Sequence, residues 1–171
     1  NFKEKSTPTP DPTPTPILGN NFYLVGDFLN TDNNSINYDC RYFKLSETAA
    51  ATAARDGVEE YSINIPTTLA VNVQILATDE KGSTALYGPS GQVTINKNNP
   101  SGSGSTTGTL VAATQTLTNY FKFEDRTTGR TTETPNENDG LYTITVTVTN
   151  GVPTNYTIEH NPLTRVAYYL P

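Results

Sequence analysis

The chain has 171 residues, 34% of them hydrophobic and 16% charged, with a net charge of −6 and a pI near 4.7. That acidic balance excludes a nucleic-acid binder, which needs a cationic field to neutralise phosphates. Cys40 is the only cysteine, which excludes an intrachain disulfide, and no apolar run reaches the roughly 18 residues that a membrane-spanning helix requires.

From Thr7 to Pro16 every second residue is proline, apart from the threonines and Asp11 that separate them. Proline fixes φ near about −65° and drives the preceding residue out of the α region, so the stretch is expected as a semi-rigid polyproline-like spacer, at roughly 3.1 Å per residue. Residues 1–20 are therefore assigned to a Pro/Thr-rich tether and residues 21–171 to one domain, since the remaining length supports one ordinary core. The chain contains no methionine. With a spacer at its start, this leads to the expectation of an exported protein, cut from its secretory signal and held by a lipid anchor upstream of Asn1.

The domain begins with Asn21-Phe22-Tyr23-Leu24-Val25-Gly26-Asp27-Phe28, a run of aromatic and branched residues closed by Gly-Asp, which reads as a first strand. Further strands are expected over residues 41–45, 60–65, 71–77, 92–95, 109–117, 120–124, 141–149 and 155–160. The clearest is Leu141-Tyr142-Thr143-Ile144-Thr145-Val146-Thr147-Val148, whose alternation sends Tyr142, Ile144, Val146 and Val148 to one face, expected to be the core face. Only residues 46–55, with Ala49, Ala50, Ala51, Ala53 and Ala54, read as a short helix. Residues 30–37, 79–83, 96–104 and 125–140 are rich in Gly, Asn, Asp, Ser and Thr and read as loops. Strands with frequent turns and almost no helix imply an all-β antiparallel sandwich of two sheets. Tyr42-Phe43-Lys44-Leu45 recurs as Tyr120-Phe121-Lys122-Phe123, each followed later by an Asp-Gly. The distance to that Asp-Gly is not kept, so the echo reads as a repeated local solution rather than a duplication.

No catalytic constellation is legible. His160 is the sole histidine, and no neighbour in sequence nominates a partner for it. The carboxylate pairs Glu59-Glu60, Asp79-Glu80 and Glu124-Asp125 are adjacent, so within a strand they point to opposite faces. Asp27, Asp32 and Asp39 crowd one asparagine-rich stretch, but their spacing matches no EF-hand loop and turn formation accounts for them. The chain is expected not to be an enzyme and to carry no cofactor or metal.

Several segments together resemble the surface starch-binding lipoproteins of Bacteroidetes polysaccharide-utilisation systems, the SusE and SusF type. They are Phe22-Tyr23-Leu24-Val25-Gly26-Asp27, Thr84-Ala85-Leu86-Tyr87-Gly88, Tyr120-Phe121-Lys122-Phe123, Asp139-Gly140-Leu141-Tyr142-Thr143-Ile144 and Asn155-Tyr156-Thr157-Ile158. The resemblance implies an immunoglobulin-like sandwich that binds a polysaccharide at the cell surface without cleaving it, as an outer-membrane lipoprotein working beside other outer-membrane proteins. It nominates Tyr87 to stack on a sugar ring, with Lys122 and Arg126 reaching hydroxyls. The chain departs from the family in having no tryptophan. A structural or adhesive surface domain that binds a protein partner is the competing expectation.

Overall fold

The computed structural model describes residues 17–27, 36, 37, 39, 41, 43–48, 57–96, 105–116, 118–124 and 140–162. Among these there are eleven strands and no helix. They are β1 (Asn21–Gly26), β2 (Phe43–Lys44), β3 (Ser46–Glu47), β4 (Val58–Pro66), β5 (Val71–Thr78), β6 (Thr84–Pro89), β7 (Gln92–Ile95), β8 (Ser105–Ala113), β9 (Tyr120–Phe123), β10 (Gly140–Thr149) and β11 (Val152–Pro162).

The all-β expectation holds, and the strands form two layers. In the first sheet β2 pairs β1 and β1 pairs β5. The other side of β5 is shared: its second half pairs β6, which continues to β8, while its first half pairs β9, which continues to β7. The second sheet runs β8-β11-β10-β4-β3. Every pairing is antiparallel except β7 with β9. Strand β8 serves both sheets, its first half pairing β11 and its second half β6, a corner by which one strand passes between packed layers.

Aromatic side chains join the layers face to face. Phe22 of β1 meets Tyr61 of β4 at 4.7 Å between ring centroids, Phe121 of β9 meets Tyr156 of β11 at 4.7 Å, and Phe123 of β9 meets Tyr142 of β10 at 5.5 Å. These tilted and edge-to-face contacts suit the charge distribution of aromatic rings. The alternation of β10 places Tyr142, Ile144, Val146 and Val148 in the core as expected, while Thr143, Thr145 and Thr147 face outward. His160 also lies in this core, its ring 5.6 Å from that of Tyr142. A smaller apolar cluster of Val25, Leu76 and Ile36, with Tyr23 and Leu86 packed against it, covers part of the outer face of the first sheet.

Between β10 and β11 the turn residues Asn150 and Gly151 have φ of 49° and 79°, the left-handed pair that a two-residue hairpin with strand-matched twist demands. Gly151 accepts a hydrogen bond from the Gly19 N–H at 2.9 Å, and Asn20 N–H donates to the Thr78 carbonyl at 2.9 Å. Ile17 packs on the main core. Residues 17–20, assigned to the tether by composition, thus lie against the sandwich; residues 1–16 lie outside the described residues.

Two elements differ from the sequence reading. Ser46 and Glu47, expected to open a helix, form β3 because they pair with Ser62 and Tyr61 at the edge of β4; residues 49–56 lie outside the described residues. Strand β6 was not expected at all: Gly88 and Pro89 at its end interrupt the pattern, yet it pairs β5 on one side and β8 on the other.

Burial leaves a chemical signature. The phenols of Tyr87 and Tyr156 are pushed above their ordinary value of 10.0 by desolvation, and that of Tyr61 by desolvation first, then by its hydrogen bond to Glu59 and the negative charges of Glu59 and Glu47. A folded-state value above the unfolded one means that the stability is fully present below pH 10 and drains away as pH rises beyond it. Urea unfolding is expected to show a level midpoint from about pH 7 to about pH 9 and a decline above about pH 10. The decline should be shallower in Tyr87→Phe; an identical slope would remove Tyr87 from this account.

Candidate functional site

Of the three residues nominated from sequence, the two that are described do not converge. Tyr87 sits on β6 opposite Ile75, is only 8% exposed, and belongs to the main core. Tyr87 is also among the residues lining a shallow groove of about 420 Å³ along β6 and β8, with Leu86, Ala113, Thr114 and Gln115. Lys122 lies on the opposite face of the same sheet, since its register partner Asn72 points away from the core that Val71 and Val73 enter. Arg126 lies outside the described residues. Tyr87 cannot offer a ring face to a ligand, because Leu86, its neighbour, takes the outward position in the strand alternation.

Strand β9 supplies a better arrangement. Phe121 and Phe123 are buried at 1% and 2%, so period-two alternation turns Tyr120 and Lys122 outward together. The parallel register sets Gln92 of β7 beside Tyr120 and Thr94 beside Lys122, with Asn72 of β5 on the other flank. The Tyr120 hydroxyl donates to Gln92 Oε1 at 2.6 Å, and Gln92 Nε2 donates to Thr94 Oγ1 at 3.1 Å. Lys122 Nζ stands 3.8 Å from Glu124 Oε1, a loose exposed pair that costs little to break.

The position of Tyr120 is fixed from behind. Asn119, with φ of 61°, accepts a hydrogen bond from Gly91 N–H at 2.9 Å and donates to the Ala112 carbonyl at 3.1 Å. Gln74, fully buried, extends Nε2 to the carbonyls of Thr114, Thr118 and Asn119 at 2.8, 3.3 and 3.3 Å. The result is a partly exposed aromatic ring with an amide, a hydroxyl and an ammonium in one row on a rigid sheet. Such a row matches the apolar face and the hydroxyl rim of a sugar, and prior ordering lowers the entropy lost on binding. The signal was present in the sequence: in Tyr120-Phe121-Lys122-Phe123, the segment that holds Lys122, alternation also exposes Tyr120.

Several acidic residues are occupied elsewhere. Asp27 accepts hydrogen bonds from Asn72 N–H at 2.9 Å and from Asn72 Nδ2 at 2.8 Å, locking the end of β1 to β5. Glu60 accepts from Thr48 Oγ1 at 3.0 Å, and Glu59 from the Tyr61 hydroxyl. Among the described residues no three His, Cys, Asp or Glu side chains are grouped to hold a metal ion, and no helix is long and apolar enough to cross a membrane. Comparison with protein-family models, curated proteins and solved structures finds no match to this chain.

Proposed function

We propose that the protein is a non-catalytic glycan-binding module of the cell surface, with a polysaccharide, a glucan first among them, as its ligand. The observation that carries this reading is the row of Tyr120, Gln92, Thr94 and Lys122 on the outer face of the first sheet. A flat polar platform built around one aromatic ring suits the side of a neutral polymer rather than a buried small molecule. The immunoglobulin-like assignment of the sandwich, the SusE/SusF-type kinship and the lipid-anchored outer-membrane location belong to the same reading; the proline-rich sequence before residue 17 and the two face-to-face sheets support them. A protein-binding surface would call for a contiguous exposed apolar patch. The large exposed apolar side chains among the described residues are few: Val58 and Leu18 lie near the β10–β11 turn, and Leu141 lies at the other end of the β10–β4 ladder.

Affinity electrophoresis of the full chain through gels containing soluble polysaccharides tests the proposal. Retardation by at least one glucan is expected, weakened about tenfold in Tyr120→Ala, the scale of one lost aromatic contact. Tyr87→Phe should migrate like the parent. Free migration in every polysaccharide would sink the glycan reading.

A further inference from the structure

At the edge of the first sheet farthest from β7 the chain passes from one layer to the other within five residues. Phe43–Lys44 pair with β1 and Ser46–Glu47 pair with β4. Leu45 between them is 2% exposed, and its N–H donates to the Phe22 carbonyl at 2.9 Å. This crossing forms one wall of a groove of about 390 Å³, completed by Asn20 and Asn21 where the chain enters β1 and by Tyr61 of β4. That volume falls in the lower part of the roughly 300–1,000 Å³ span of ligand pockets.

The aromatic member of the groove is fixed in place. Tyr61 is held on two sides, by the Phe22 ring at 4.7 Å and by the hydrogen bond its hydroxyl donates to Glu59. Asn21 Nδ2 donates to Asn20 Oδ1 at 3.2 Å, leaving Asn21 Oδ1 to accept. Lys44, Ser46 and Glu47 line the groove, and no hydrogen bond or ion pair to another described residue engages their side chains, in contrast to the paired Glu59 and Glu60 of β4. An ammonium that only donates, a carboxylate that only accepts, and a hydroxyl and amide that do both are the set that vicinal hydroxyls of a sugar satisfy. Leu45 and Tyr61 are the apolar members of its lining.

We propose that this groove is a second saccharide subsite that takes the end of a neutral oligosaccharide. Charge decides against ionic ligands: an anion would meet Glu47 and, beyond it, Glu59, whereas a cation would meet Lys44. The small volume of the groove, about 390 Å³, suits the end of a chain better than a length of it. The site is separate from the Tyr120 platform, because β1 and β2 lie on one side of β5 and β9 and β7 on the other.

Amide chemical shifts of the full chain, followed during titration with maltotriose and separately with cellotriose to millimolar concentrations, test it. The expected result is movement of the Asn21, Lys44, Ser46 and Glu47 amides with at least one probe. Affinity should fall about fivefold in Asn21→Ala and in Glu47→Ala, the scale of one hydrogen bond. Tyr120→Ala, which alters only the platform across the sheet, should retain the shifts at the groove. Movement here without movement at Tyr120 and Lys122 upholds the groove and removes the platform; movement only at Tyr120 and Lys122 does the reverse. No movement at the groove with either probe, or undiminished affinity in both alanine variants, overturns the proposal.

Discussion

Alanine in place of Phe121 is expected to cost about 3–5 kcal/mol of folding stability, whereas alanine at the adjoining Tyr120 should cost no more than about 1 kcal/mol. The two residues differ in which side of β9 they occupy. Phe121 is 1% exposed and meets Tyr156 of the facing sheet edge-on, with 4.7 Å between centroids and 83° between ring planes. Its strand is the link between β5 and β7, so the cavity left by truncation opens where the layers are joined and cannot easily collapse. Against a typical domain stability of about 5–15 kcal/mol, the loss is a large fraction. Tyr120 gives up one hydrogen bond to Gln92 at the surface. Urea unfolding of both variants, read beside their migration in polysaccharide gels, separates packing from binding. Equal destabilisation by the two would make Tyr120 a packing residue and withdraw it from the site.

Gly88→Ala should be nearly as damaging, by about 3 kcal/mol, the upper part of the usual cost of overpacking. A Cβ at Gly88 would lie 1.8 Å from the Asn119 carbonyl oxygen and 2.7 Å from its carbonyl carbon. Backbone has to move to relieve such an overlap, and this backbone is pinned. The side chain of Asn119 bridges Gly91 and Ala112, and the buried amide of Gln74 grips the carbonyls of Thr114, Thr118 and Asn119. Displacing Asn119 also displaces Tyr120, so the variant should lose polysaccharide retention together with thermal stability. An unchanged unfolding midpoint would show that the turn yields and that Gln74 does not hold it.

The residues of this chain differ in how far their own pattern fixed their place. In β10 the alternation of threonine with Tyr142, Ile144, Val146 and Val148 determined both the strand and its inner face, because a solvated face and a buried face make opposite demands at successive positions. The same logic exposed Tyr120 and Lys122 by burying Phe121 and Phe123. The Asn150-Gly151 pair likewise carries its turn in its own backbone preferences. In Leu86-Tyr87 the pattern is silent, since two adjacent apolar residues fit either orientation. Only the pairing of β6 with β5 sent Tyr87 inward beside Ile75 and left Leu86 to the outer cluster under Ile36. Ser46 and Glu47 precede an alanine run with helical preference, yet the open edge of β4 recruits them as a strand. The groove between Lys44, Glu47, Asn21 and Tyr61 belongs to this second kind. Its members come from three separated segments, and long-range strand order, which no local preference encodes, brings them together. Local alternation thus determined which residues of β9 and β10 face the core, while the order of strands across two sheets oriented β6 and decided which exposed residues became neighbours.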